Sequence, residues 1–180
     1  MTKILFVASN PSGTTPLKLD EEIRSIEQKL EASVDRDEVQ LKSLWAVRPD
    51  DLLEAIMKQR PQVVHFSGHG NAAGQIVLKG QDQGPVGVSE EALRMLFSTL
   101  KDNIRIVVLN ACYSEKQATA IAEVIDCVVG MNKEVGMMRQ SYLRRHFIAP
   151  FVAAVLSNRH LTWAKRQFFY MELLRLKPPD

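Results

Sequence analysis

Short, continuous apolar runs alternate along this chain with segments of helical periodicity, and that alternation admits few folds. Residues 3–8, 63–66, 104–109 and 127–131 are apolar at nearly every position. A strand with one face in water would alternate, so these runs read as strands buried on both faces. Residues 39–47, which alternate partly, and the short run 75–79 read as two more. Between them, Leu19, Ile23, Ile26 and Leu30 recur at helical spacing behind Asp20, Glu21 and Glu22, acids suited to the positive end of a helix. The acidic residues over 20–31 read as a solvated face with ordinary helix pairs. Residues 50–59 read as a helix opened by Pro49 and closed before Pro61. Ser89 caps a third over 90–101, and 115–125 reads as a fourth. Residues 81–87 read as turns. Strands alternating with helices predict an α/β fold, a mainly parallel sheet flanked by helices.

Composition narrows the function classes. At 180 residues the chain is long enough for one domain with a real core. Apolar residues at 46% and charged residues at 24% exclude a disordered or fibrous chain. A net charge of +2 provides no basic footprint for nucleic acid. The apolar run 147–156 is broken by Pro150 and is too short for a bilayer, so no membrane partner is expected. The two cysteines, Cys112 and Cys127, point to a reducing compartment, read here as the cytoplasm.

In such sheets, reactive groups gather beyond the carboxyl ends of the strands. Three predicted strand ends carry unusual residues: Ser9-Asn10-Pro11-Ser12-Gly13, Ser67-Gly68-His69-Gly70 and Asn110-Ala111-Cys112. The last two belong to neighbouring strand–helix units, which would set His69 beside Cys112. An imidazole takes the proton of a thiol and later hands it to a leaving amine. The helix starting near Ser114 would add positive potential close to the sulfur. Glycines around His69 let main chain approach a substrate, so the Gly70 and Cys112 amides could hold a tetrahedral oxyanion. Cys127, in an apolar strand, reads as core. His65 and His69 lie on strand and turn, with Phe66 where a zincin carries glutamate, so neither metal nor cofactor is expected. The loop 9–15 has the glycine and hydroxyls of a phosphate cradle, but Pro11 removes a donor.

These segments carry a resemblance. His-Phe-Ser-Gly-His-Gly at 65–70 and Val-Val-Leu-Asn-Ala-Cys-Tyr-Ser at 107–114 resemble the two motifs of bacterial caspase-like peptidases of the CHAT type. The opening Ile-Leu-Phe-Val-Ala-Ser-Asn-Pro, Leu-Asp-Glu-Glu-Ile-Arg at 19–24, and Val-Val-Gly-Met-Asn-Lys-Glu-Val-Gly at 128–136 resemble the same family. The resemblance implies a three-layer caspase-like sandwich and a cysteine endopeptidase acting on protein or peptide substrates. In it His69 is the general base, Cys112 the nucleophile and His65 structural. It also implies an effector of bacterial signalling, partnered by a signalling NTPase or repeat protein. The alternative is a catalytically inactive module that keeps the fold and binds such partners.

The likeness stops at Gly136. Residues 1–136 hold 15 Lys and Arg against 19 Asp and Glu, a net of −4; residues 137–180 hold 8 against 2, a net of +6. All nine glycines lie at or before Gly136. Residues 137–180 therefore read as a divergent tail of the same domain, helical over 142–156 and 161–174. Read one base earlier, codons compatible with 137–147 spell Asp-Asp-Ala-Ala-Ile-Val-Phe-Ala-Ala-Ala-Phe, which resembles the family's Ala-rich ending. Two origins fit, a one-base loss near codons 136–137 and a genuine divergent tail; the encoding DNA separates them. A shifted tail would leave on the order of several hundred Å² of apolar sheet uncovered, favouring self-association.

Overall fold

A computed structural model describes residues 1–34 and 36–131, and the backbone of 167–170. Among these residues the elements run β1 (Thr2–Ser9), α1 (Leu19–Glu31), a 3-10 turn (Arg36–Glu38), β2 (Val39–Trp45), α2 (Pro49–Gln59), β3 (Val63–Gly70), β4 (Ile76–Lys79), β5 (Pro85–Val88), α3 (Glu90–Leu100), β6 (Ile106–Asn110), α4 (Glu115–Ala122), β7 (Cys127–Gly130) and β8 (Gln167–Tyr170). The main sheet runs β2-β1-β3-β6-β7-β8, parallel throughout. β4 and β5 form a hairpin, antiparallel to each other and to the end of β3.

Local chemistry explains the punctuation. α2 starts at Pro49, whose missing N–H would have no partner there, and the Arg48 N–H donates to Asp51 Oδ2 at 3.0 Å. It stops where Arg60 turns left-handed at φ 49° ahead of Pro61. The Ala92 N–H donates to the Ser89 hydroxyl at 3.2 Å, capping α3 as its sequence requires.

The chain closes its core on two fronts. Leu19, Ile23, Ile26 and Leu30 of α1 cover Ile4, Phe6, Ala8, Val63, Ile106 and Val108. On the opposite face, α2, α3 and α4 bring Leu52, Ile56, Leu93, Phe97, Ala118 and Ile121 onto Leu5, Val7, Val64, Phe66, Val107 and Leu109. The split follows from connectivity. β1 leads sideways to β2, and later strands are added on the other flank. Right-handed crossovers therefore put α1 on one face and α2 and α4 on the other. The reversal between β1 and β3 opens a crevice at their carboxyl ends.

Two readings change. Of residues 81–87, read as turns, Pro85, Val86 and Gly87 belong with Val88 to β5, because that segment pairs with β4. Gln167–Tyr170 lies in the span read as helix but is a strand on β7, with Val128 opposite Phe168 and Val129 opposite Phe169. An aromatic β-former beside an open sheet edge takes the ladder. The helix expected over 142–156 and the burial of Phe147, Phe151 and Trp163 fall outside the described residues. Among the described residues no helix is long and apolar enough to cross a membrane.

Candidate active site

β1, β3 and β6 are neighbours in the sheet, so the three unusual strand ends meet at one rim. Gly70 and Cys112 come into close backbone contact there. A Cβ at Gly70 would sit 1.7 Å from the Cys112 carbonyl oxygen and 3.3 Å from its nitrogen, so only a glycine lets the two backbones touch. Two loops 42 positions apart in sequence thus abut at Gly70 and Cys112, with His69 next to Gly70 in the chain. His69 and Cys112 are both half-buried, which leaves each open to the rim. Cys112 is a free thiol.

The third strand end joins them. The His69 Nε2–H donates to Asn10 Oδ1 at 3.1 Å. The loop read as a possible phosphate cradle therefore turns its Asn10 to the imidazole. Sequence reasoning flagged Asn10 only as an odd residue at a strand end. Nothing local predicts its partner 59 positions away.

The turn carrying Cys112 is fixed from below. Ser114 is buried; its hydroxyl donates to the Leu109 carbonyl at 3.1 Å and accepts from the Met131 N–H at 2.9 Å. That ties the end of β6 to the end of β7. Tyr113 takes a left-handed φ of 57°, a conformation unfavourable for an aromatic residue, directly after Cys112. The β3–β4 turn is closed by Asn71, whose Nδ2 donates to Gln75 Oε1 and whose Oδ1 accepts from the Gln75 N–H, both at 3.0 Å. The tip of the hairpin reaches the first loop, where the Ser12 N–H donates to the Gln83 carbonyl at 3.1 Å.

Directly beneath the rim lies a buried polar cluster. Glu22, 2% exposed, accepts from His65 Nε2 and Asn110 Nδ2, each at 2.8 Å, and from the Ser67 hydroxyl. His65 also stacks on Phe6, ring centroids 5.2 Å apart. His65 is structural, as the resemblance implied. Glu22 overturns the expectation of a solvated acidic face on α1. Its position, three residues after Leu19 and four before Ile26, lies on the apolar stripe rather than opposite it. That spacing was the signal available in the sequence, together with His65, a polar residue inside an apolar run that needed a partner.

Cys127 is buried, as expected of a core residue. Desolvation, helped by the neighbouring Asp126 carboxylate, holds its thiol above the ordinary range. Among the described residues, no group of three or more His, Cys, Asp or Glu could hold a metal ion.

A family model described as the CHAT domain matches residues 4–149. The chain belongs to the CHAT domain family. The match runs past Gly136, where the resemblance read from the sequence ended. A "Probable protease" of Gillisia limnaea is 25% identical over 129 residues, 71% of this chain and 23% of the relative. A "Roc-COR-CHAT protease" from an unknown prokaryotic organism is 29% identical over 134 residues, 71% of this chain and 13% of the relative. The CHAT chain therefore spans less than a quarter of either curated relative. Among solved structures, a secreted C11 cysteine protease from Bacteroides thetaiotaomicron, in complex with an irreversible peptide inhibitor, superposes with a TM-score of 0.57 at 13% identity. That match covers 91% of this chain and 59% of the other. The architecture of the CHAT domain, a mostly parallel sheet between helices, is caspase-like.

Proposed function

We propose that this CHAT domain is a cysteine endopeptidase worked by a His69–Cys112 dyad. The observation that carries the reading is the backbone contact of Gly70 with Cys112, which brings the base-bearing and thiol-bearing strand ends to one rim. The Cys112 thiol gives its proton to the His69 imidazole, and the sulfur attacks the scissile carbonyl carbon. The developing oxyanion is held by the Gly70 and Cys112 amide N–H groups. The imidazolium then protonates the leaving amine, and the C–N bond breaks to leave a thioester. Water, deprotonated by the same imidazole, hydrolyses the thioester and releases Cys112. The protease names of the two relatives support this chemistry.

The substrate is a protein or peptide. The name of the Roc-COR-CHAT relative supports a setting in which such a domain works with a signalling NTPase, and the two free cysteines fit the reducing cytoplasm of a bacterium. The second reading, a non-catalytic interaction module, draws on the tail, whose net charge of +6 departs from the −4 of residues 1–136. A thiol-reactive peptidyl probe separates the two. Labelling of Cys112 that disappears in His69→Ala is the expected result. No labelling at neutral pH would establish the module instead.

A further inference from the structure

We infer that Asn10 is a positioning residue of this dyad, holding the His69 imidazole in the tautomer and orientation that make it a base; the inference rests on the peptidase reading above. An amide oxygen only accepts hydrogen bonds. With Asn10 Oδ1 at 3.1 Å, Nε2 carries the hydrogen and the lone pair belongs to Nδ1. Nδ1 is then the nitrogen that takes the Cys112 proton. In the imidazolium, Nε2–H keeps the same bond, so the charged form is stabilised without any atom having to move.

The fold builds this contact. Ser9 pairs with Gly68 in the β1–β3 ladder, which places the next residue of each chain at the crevice between the two strands. A Cβ at Gly68 would lie 2.7 Å from the Ser9 carbonyl oxygen, so the glycine lets the two strand ends close on each other. Pro11 is buried and fixes the chain just after Asn10. The Thr14 hydroxyl donates to the Pro11 carbonyl at 2.7 Å and closes the turn that follows Asn10. Asn10 itself is exposed, so its replacement leaves the core untouched.

The test is the alkylation rate of Cys112 by iodoacetamide across about pH 5 to 10, read at the Cys112 peptide by mass spectrometry on the full chain. Far-UV circular dichroism confirms that each variant is folded. His69→Ala is expected to lower the neutral-pH rate by about 100-fold. Asn10→Ala should lower it about tenfold, because the ring is present but no longer held. Asn10→Asp should recover most of that loss. Its carboxylate favours the imidazolium, so the alkaline limb of the profile should move up by about one pH unit. Asn10 variants that match the parent while His69→Ala fails would overturn the positioning role and leave the dyad standing. An equal loss in Asn10→Ala and Asn10→Asp, with no movement of the limb, would reduce Asn10 to loop architecture and overturn it too. A parent profile unchanged by His69→Ala would sink the dyad and this inference together.

Discussion

The two faces of the central strands are built from the same three segments and are unlike each other. Toward α2, α3 and α4, the residues Leu5, Val7, Val64, Phe66, Val107 and Leu109 form uninterrupted hydrocarbon. Toward α1, the rows begin as hydrocarbon, with Ile4, Val63 and Ile106, and become polar on the way to the carboxyl ends. His65 and Ser67 of β3 and Asn110 of β6 turn inward there and converge on Glu22. Two residues beyond Ser67 and Asn110 in the chain stand His69, still on β3, and Cys112, in the turn after β6. The difference shows where a fold can place reactive polar groups. Hydrocarbon holds the sheet to its helices, while a row of polar side chains running out of the core needs an acceptor at its buried end.

Removing that acceptor should be the most costly change. Glu22→Ala leaves the His65 and Ser67 donors buried without their acceptor and Asn110 Nδ2 with only the Ser67 hydroxyl at 3.4 Å, and should cost about 3–5 kcal/mol in urea unfolding. Leu109→Ala, on the hydrocarbon face, should cost about 2–5 kcal/mol through its cavity. A Glu22→Ala cost below that of an ordinary surface substitution would erase the contrast between the faces. Gly70→Ala sets a methyl group against the Cys112 carbonyl. It should cost about 1–3 kcal/mol by overpacking and abolish labelling of Cys112 by a peptidyl probe, since the two loops must part. Ser114→Ala removes a buried hydroxyl with two backbone partners and should cost about 1–3 kcal/mol.

The smallest effect is alkaline. The Cys127 thiol is raised above its ordinary 9.0 by burial and by Asp126. Above that pH the unfolded chain gives up the proton while the folded one keeps it. The contribution is therefore whole below pH 9.0 and is lost as the pH climbs above it, by about 1 kcal/mol per unit. Cys127→Ala should flatten that decline in thermal melts run between neutral pH and about pH 10.

Much of this was legible beforehand. Continuous apolar runs gave β1, β3, β6 and β7, partial alternation gave β2, helical spacing gave α1, and proline and cap signals bounded α2 and α3, because these patterns are set by local backbone geometry. His69 and Cys112 stood out as reactive residue types at strand ends. β5 escaped because a four-residue strand whose Pro85, Val86 and Gly87 are exposed has no apolar pattern and exists through its partner β4. β8 escaped because strand formation at an edge depends on the neighbouring ladder rather than on helix-compatible spacing. Glu22 was misread because charge was weighed before position on the helix.

The sequence alone determined the alternation of buried strands with helices and marked His69 and Cys112 as candidates, since these depend on which residues are apolar, at what interval, and which types can exchange a proton near neutral pH. Only the tertiary structure decided that Glu22 anchors three strand residues, that Gly70 must lack a side chain beside Cys112, and that Asn10 faces His69. Each of those is a contact across 40 positions or more, created by the sheet order and by the reversal of the chain between β1 and β3. No local pattern encodes which distant strand will lie alongside, so the partners appear only when the sheet has formed.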